Sequence, residues 1–142
     1  MAMYKSEMDA GVAGAIANTE NKNIISRTVQ GAAGIPFGRA VVQGTKDKTI
    51  RAATTGDTDF VGVTVVDRTA RDLNAGGFVE FETARVLEEG VIWVEVTAAV
   101  KAGDAAAVDL ATGKFNKAGA AFEGAIFDTS ASAGQLAQLR IK

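Results

Sequence analysis

Glu88-Glu89-Gly90-Val91-Ile92-Trp93-Val94-Glu95-Val96 leads through Thr97 to Val100, then Lys101-Ala102-Gly103-Asp104, Ala105 to Leu110 and Ala111-Thr112-Gly113-Lys114-Phe115. The stretch reads as strand, connection, strand and tight turn. Ile92, Val94 and Val96 alternate with Val91, Trp93, Glu95 and Thr97, the period of two that sends successive side chains to opposite faces of a sheet. The first set is the expected core face. The second places the only tryptophan beside a carboxylate, so Trp93 and Glu95 are candidate partner contacts, with packing under a loop or a second sheet as the other reading of Trp93.

Ala98 to Leu110 admits two structures. Alanine is the best helix former, which favours a helix over Thr97 to Asp109. Gly103 in mid-segment, the Ala102-Gly103-Asp104 turn signal and the alternation of Ala106, Val108 and Leu110 with Ala107 and Asp109 favour a turn and then a strand. We adopt the second. Ala111-Thr112-Gly113-Lys114 then supplies glycine where a tight turn needs a positive φ, and Phe115 begins the return.

The same period extends outward. Upstream, Phe37 to Gly44 alternates between glycines, Thr45-Lys46-Asp47-Lys48 is a polar turn, and Thr49 to Ala53 is the returning strand of a hairpin. Thr55-Gly56-Asp57 punctuates before Phe60 to Val66, apolar on nearly both faces as a central strand would be. Arg71 to Gly77 reads as a polar loop, Phe78-Val79-Glu80-Phe81-Glu82 as an alternating strand with Val79 and Phe81 on one face, and Arg85-Val86-Leu87 as a short strand stopped by Glu88-Glu89-Gly90. Downstream, Lys117 to Glu123 is loop, Gly124 to Asp128 is strand, and the last strand turns Ala137, Leu139 and Ile141 inward. Eight to ten short strands with turn signals between them predict an all-β fold: a compact β-barrel or jelly-roll-like sandwich of antiparallel strands.

Residues 1–34 differ in character. Lys5, Lys22 and Arg27 balance Glu7, Asp9 and Glu20, and a neutral arm is a poor nucleic-acid binder because phosphate neutralisation drives such affinity. The Ala10 to Ala17 run imitates a signal-peptide core, but Glu7 and Asp9 precede it and it lacks leucine and phenylalanine. It is too short to span a membrane. Ile24 to Val29 reads as a short strand. Ile35-Pro36 marks a boundary, so the expected organisation is an N-terminal arm, residues 1–34, extended or ordered on a partner, and a β domain, residues 35–142. Ile16, Ile24, Ile25 and Val29 are the arm's candidate partner-binding side chains.

The chemistry is sparse. With no histidine and no cysteine, the usual general base, thiolate nucleophile and metal ligands are missing, and no disulfide can form. The net charge is −2, with both signs interspersed and no basic block. Glu80 with Glu82, or Asp57 with Asp59, could pair carboxylates for glycoside hydrolysis, but an i,i+2 spacing reads as one solvated face or a turn cap. Asp57-Thr58-Asp59 lacks the downstream ligands of a calcium loop. We therefore expect no catalytic, cofactor or metal residues, and no nucleic-acid or membrane partner.

A resemblance gives these strands a functional reading. Phe37 to Val42, Phe60 to Val65, Gly90 to Val96, Ala102 to Phe115 and Gly124 to Gly134, in that order, resemble the small structural proteins of tailed bacteriophages called capsid cement or decoration proteins. The series covers most of residues 35–142. The resemblance implies a homodimeric or homotrimeric virion protein with a β-barrel or jelly-roll-like body. Made in the host cytoplasm, it would bind the outer face of the capsid and bridge neighbouring major capsid subunits. It carries no catalytic residues across. Two other classes fit a small β body: a tail or neck component, and a carbohydrate-binding module with Trp93 as its stacking platform.

Overall fold

The computed structural model describes residues 12–17, 21–54, 56–67 and 77–142. Its strands are β1 (Asn23–Val29), β2 (Ile35–Pro36), β3 (Ala40–Gln43), β4 (Thr49–Ala52), β5 (Phe60–Thr64), β6 (Gly77–Phe78), β7 (Thr83–Glu95), β8 (Ala105–Val108), β9 (Phe115–Asn116), β10 (Ala120–Phe127) and β11 (Leu136–Ile141), with no helix among the described residues. Apart from the β2–β6 pair they form one sheet, ordered β1-β4-β3-β5-β7-β11-β10-β8-β9, with β1 also paired to β7. That extra pairing closes β1-β4-β3-β5-β7 into a barrel. The remaining strands curl the other way round: Val96 at the end of β7 bridges Phe115 of β9, and the Thr97 N–H donates to the Phe115 carbonyl at 2.9 Å. Two rings thus share β7, and closure of each leaves few free edges.

β7 can serve both rings because its sequence breaks step in the middle. The Glu88-Glu89-Gly90 signal does not end the strand, as the sequence suggests; it bends it, giving one strand of 13 residues. Asn23 pairs with Glu89 and Ile24 with Leu87, so Glu88 is the extra residue of a β-bulge. Gly90 follows at φ +134°, where a side chain would be strained, and an added Cβ would lie 2.9 Å from the Lys22 Cβ. Before the bulge, β7 pairs with β1 and β5; after it, with β11 from Ile141↔Gly90 to Leu136↔Glu95.

Each ring has its core. The smaller one gathers Val29, Val41, Ile50, Ala84 and Val86 from β1, β3, β4 and β7, together with Ile35 and Phe78 of the β2–β6 pair. The larger gathers Ile92 and Val94 of β7, Ala137, Leu139 and Ile141 of β11, Phe122 and Phe127 of β10, and Phe115. Ala40, Val63 and Leu87 of the first ring also belong to the larger core, so the rings pack as one body. Burying a leucine or isoleucine side chain contributes about 1.5–3 kcal/mol, and the alternation of β11 turns Leu139 and Ile141 inward together with the smaller Ala137.

Two segments depart from their sequence reading. Phe78 to Glu82 is not a strand: β6 ends at Phe78, and Val79 to Glu82 form a turn closed by the Glu82 N–H on the Val79 carbonyl at 3.1 Å. Lys117 to Glu123 is not all loop, because β10 begins at Ala120 and bulges between Ala121 and Ile126. The Arg71 to Gly77 loop, apart from Gly77, and the arm's residues 1–11 and 18–20 lie outside the described residues.

Candidate functional site

β1, which holds three of the arm's candidate side chains, is a stave of the first barrel. It pairs antiparallel to β7 from Asn23 to Thr28 and parallel to β4 at Thr28 and Val29. The sheet therefore starts at Asn23 and not at the Pro36 boundary. Val29 is wholly buried in the smaller core, Ile25 packs against that core, and Ile24 packs against the larger one. Their apolar spacing is what makes β1 a strand, and the barrel uses it.

Ile16 lies in a stretch that runs beside the second half of β7. The Gly14 N–H donates to the Trp93 carbonyl (2.9 Å), the Trp93 N–H to the Ala15 carbonyl (2.9 Å), and the Ala17 N–H to the Val91 carbonyl (3.0 Å). On its other side the Val66 N–H donates to the Gly14 carbonyl at 2.8 Å. Gly14 and Gly38 approach so closely that a Cβ on Gly38 would sit 2.7 Å from the Gly14 nitrogen, so neither position tolerates a side chain without movement. Residues 12–17 thus seal a seam, with Ile16 packed on the larger core.

Trp93 is buried, with 9% of its surface exposed. Of the two readings of its position, the folded chain supports packing. Glu95 is half-exposed and forms an ion pair with Lys114 of the Thr112-Gly113 turn. That turn is itself docked on the first ring: Arg39 Nη1 donates to the Thr112 carbonyl at 2.8 Å and the Ala40 N–H to the Gly113 carbonyl at 3.1 Å. Glu95 and Lys114 therefore sit where the rings are cross-tied.

Little in the structure has the look of a reaction centre. No group of three or more His, Cys, Asp or Glu side chains that could hold a metal occurs among the described residues. Asp57 accepts two hydrogen bonds from Arg51, at 2.9 and 3.0 Å, and one from the Thr54 N–H at 2.7 Å. The Arg51 contacts foremost, then the Thr54 N–H, draw its carboxyl down to about 2. This is a capped turn, as the Thr55-Gly56-Asp57 punctuation suggests, and its carboxylate is fully engaged. Of the proposed carboxylate partners, Glu82 is buried and accepts from the Val79 N–H at 3.0 Å.

The surface is more telling. Phe78 and Phe122 are internal: Phe78 meets Phe37 edge-to-face at 5.0 Å, and Phe122 stacks on Phe60 at 5.2 Å. Among the described residues the exposed large apolar side chains are Val12 and Phe81, and Phe81 is 72% exposed. A period-two strand over Phe78 to Glu82 would turn Phe81 inward with Val79. The observed turn reverses that and holds the ring out in solvent.

The described residues form a closed all-β body with capped turns and an outward aromatic. A family model described as structural cement protein (E217 gp24/Pam3 gp6) matches residues 2–142, and the chain belongs to this phage cement family. It is a phage structural protein of the virion, associated with the capsid. Among solved structures, a chain from the capsid of Myoviridae phage XM1 is similar at 20% identity and a TM-score of 0.71, covering 98% of this chain and 94% of that one. The head fiber gp8.5 N base of bacteriophage phi29 is similar at 15% identity and a TM-score of 0.57, covering 86% and 95%. No curated protein matches the chain.

Proposed function

We propose that the protein binds the outer surface of the assembled shell and bridges neighbouring major capsid subunits, stabilising the head against the pressure of packaged DNA. Membership of the cement family over residues 2–142 is the observation that carries this reading. The fold suits such a role, because two closed rings tied through β7, the residue 12–17 seam and the Arg39–Thr112 bond make a body stiff enough to transmit load between subunits. Many copies on one shell multiply modest contacts through effective concentration. The protein acts as a homodimer or homotrimer. The carbohydrate-binding alternative needed Trp93 as an open stacking face, and the ring is buried.

The test is to add purified protein to undecorated shells, then heat or dilute them osmotically. Saturable binding with delayed rupture is expected. Absence of binding, or binding without protection, would count against bridging.

A further inference from the structure

We infer that the Val79 to Glu82 turn is a preformed anchor whose aromatic tip, Phe81, seats in an apolar socket on the capsid subunit. This rests on the cement reading and adds the residue and the chemistry of the contact.

The backbone is strained at this point. Phe81 has φ +67°, and Glu80 before it is not left-handed, so Phe81 holds the third position of a turn with the pattern of type II. That position calls for glycine or asparagine. A bulky side chain there is an outlier that persists only where its surroundings over-determine it. They do. The Phe81 N–H donates to the Val29 carbonyl at 2.8 Å, the Val29 N–H donates to the Glu82 carbonyl at 2.9 Å, and the Glu82 carboxylate accepts from the Val79 N–H. Val29 is wholly buried, so the turn is fixed to the barrel wall.

Among the described residues, burial of the ring does not offset that strain. Phe81 is 72% exposed, so hydrogen bonds of the turn hold the strained backbone while the side chain gains little burial against the described residues. A rigid aromatic held out from a fixed turn is what an interface anchor requires, because ordering costs are met before binding. Val79 of the same turn lines a hollow of about 80 Å³ with Ala32, Ala33 and Pro36, and that lining carries no charged side chain. The hollow can be covered without desolvating ions, while Glu80 adjoins the knob itself.

Charge disfavours a two-fold contact of this turn with its own copy, and the cement reading supplies the shell subunit as the partner. A second copy docking through this turn about a two-fold axis would face its own patch. It would bring Glu80 toward the Glu80 of its twin, which opposes such a contact. A shell subunit is free of this constraint. The socket is expected to be apolar with a basic rim opposite Glu80.

The experiment compares the full-length chain with Phe81→Gly and Phe81→Asn on undecorated shells. Both replacements suit a left-handed φ, so thermal stability should stay level or rise while shell affinity falls about thirtyfold, as for a hot-spot aromatic. Unchanged affinity in both variants, with the wild type bound, overturns the anchor and leaves the cement reading standing. A lowered melting temperature in both variants also overturns it, since the ring would then serve the fold. So does a changed oligomeric state with affinity retained, which would assign the turn to a second copy. If the wild-type chain itself does not bind, the cement reading fails and takes the anchor with it.

Discussion

The two rings share β7 and are finished differently. Both cap turns with side chains, Asp57 on the Thr54 N–H and Glu82 on the Val79 N–H in the first ring, Asp104 on the Lys101 N–H and Asp109 on that of Ala111 in the second; the difference lies in the backbone. The second ring's left-handed positions are all glycine. The first ring carries both described non-glycine residues with positive φ, Lys48 and Phe81, and it carries the exposed ring. One half is built to its local optimum; the other keeps strain at its surface. Proteins relinquish stability in this way where a partner must be met. The anchor proposed above lies on the strained half.

The largest expected effects test whether the rings are one body. Phe127→Ala, in the larger core, should lower unfolding free energy by about 3–5 kcal/mol, and Ile50→Ala, in the smaller, by about 2–5 kcal/mol. Urea unfolding followed by Trp93 fluorescence and by circular dichroism should give coincident transitions in both. Separated transitions would mean that β7 does not couple the rings. Gly90→Val comes next. It forces a β-branched residue to φ +134° at the bulge, and a loss of about 1–3 kcal/mol is expected, with both rings affected together.

Asp57→Asn tests the capped turn of the first ring. Its carboxyl sits at about 2 in the folded chain and at about 3.9 when unfolded. The stabilisation is thus complete above the unfolded value and is lost as pH falls from about 4 toward 2. Solvent reaches part of the Arg51–Asp57 pair, so the effect at neutral pH should be on the order of 1 kcal/mol. The variant should lack this part of the acid dependence in a pH series of melting temperatures. The smallest change is Lys114→Ala. Its ion pair with Glu95 is half-exposed and should be worth about 0–1 kcal/mol, screened by salt. A larger loss would make the Glu95–Lys114 tie a principal link between the rings.

Much of the fold was legible because period-two alternation is local. It marked β3 and β4, the Gly103-Asp104 turn before β8, the Gly113 turn and the inward face of β11. Closure was not legible. The β1–β7 pairing and the Val96–Phe115 bridge join residues far apart in sequence, and nothing in either strand names its partner. Gly90 shows the limit well: a glycine after two glutamates signals a strand end and a bulge equally, and only the neighbouring strand decides. Trp93 was ambiguous because its cover comes from outside its own strand. Phe81 was misplaced because Glu80-Phe81-Glu82 alternates. The clue against a strand was spatial economy: a strand to Glu82 followed by one at Arg85 leaves only Thr83 and Ala84 for the reversal, and neither is a turn former.

A cryo-electron microscopy map of shells decorated with the full-length protein tests the bridging role most directly. Bridging predicts density on the outer face, each copy in contact with two neighbouring capsid subunits. Density confined to a tail or neck, or copies each resting on a single subunit, would contradict it.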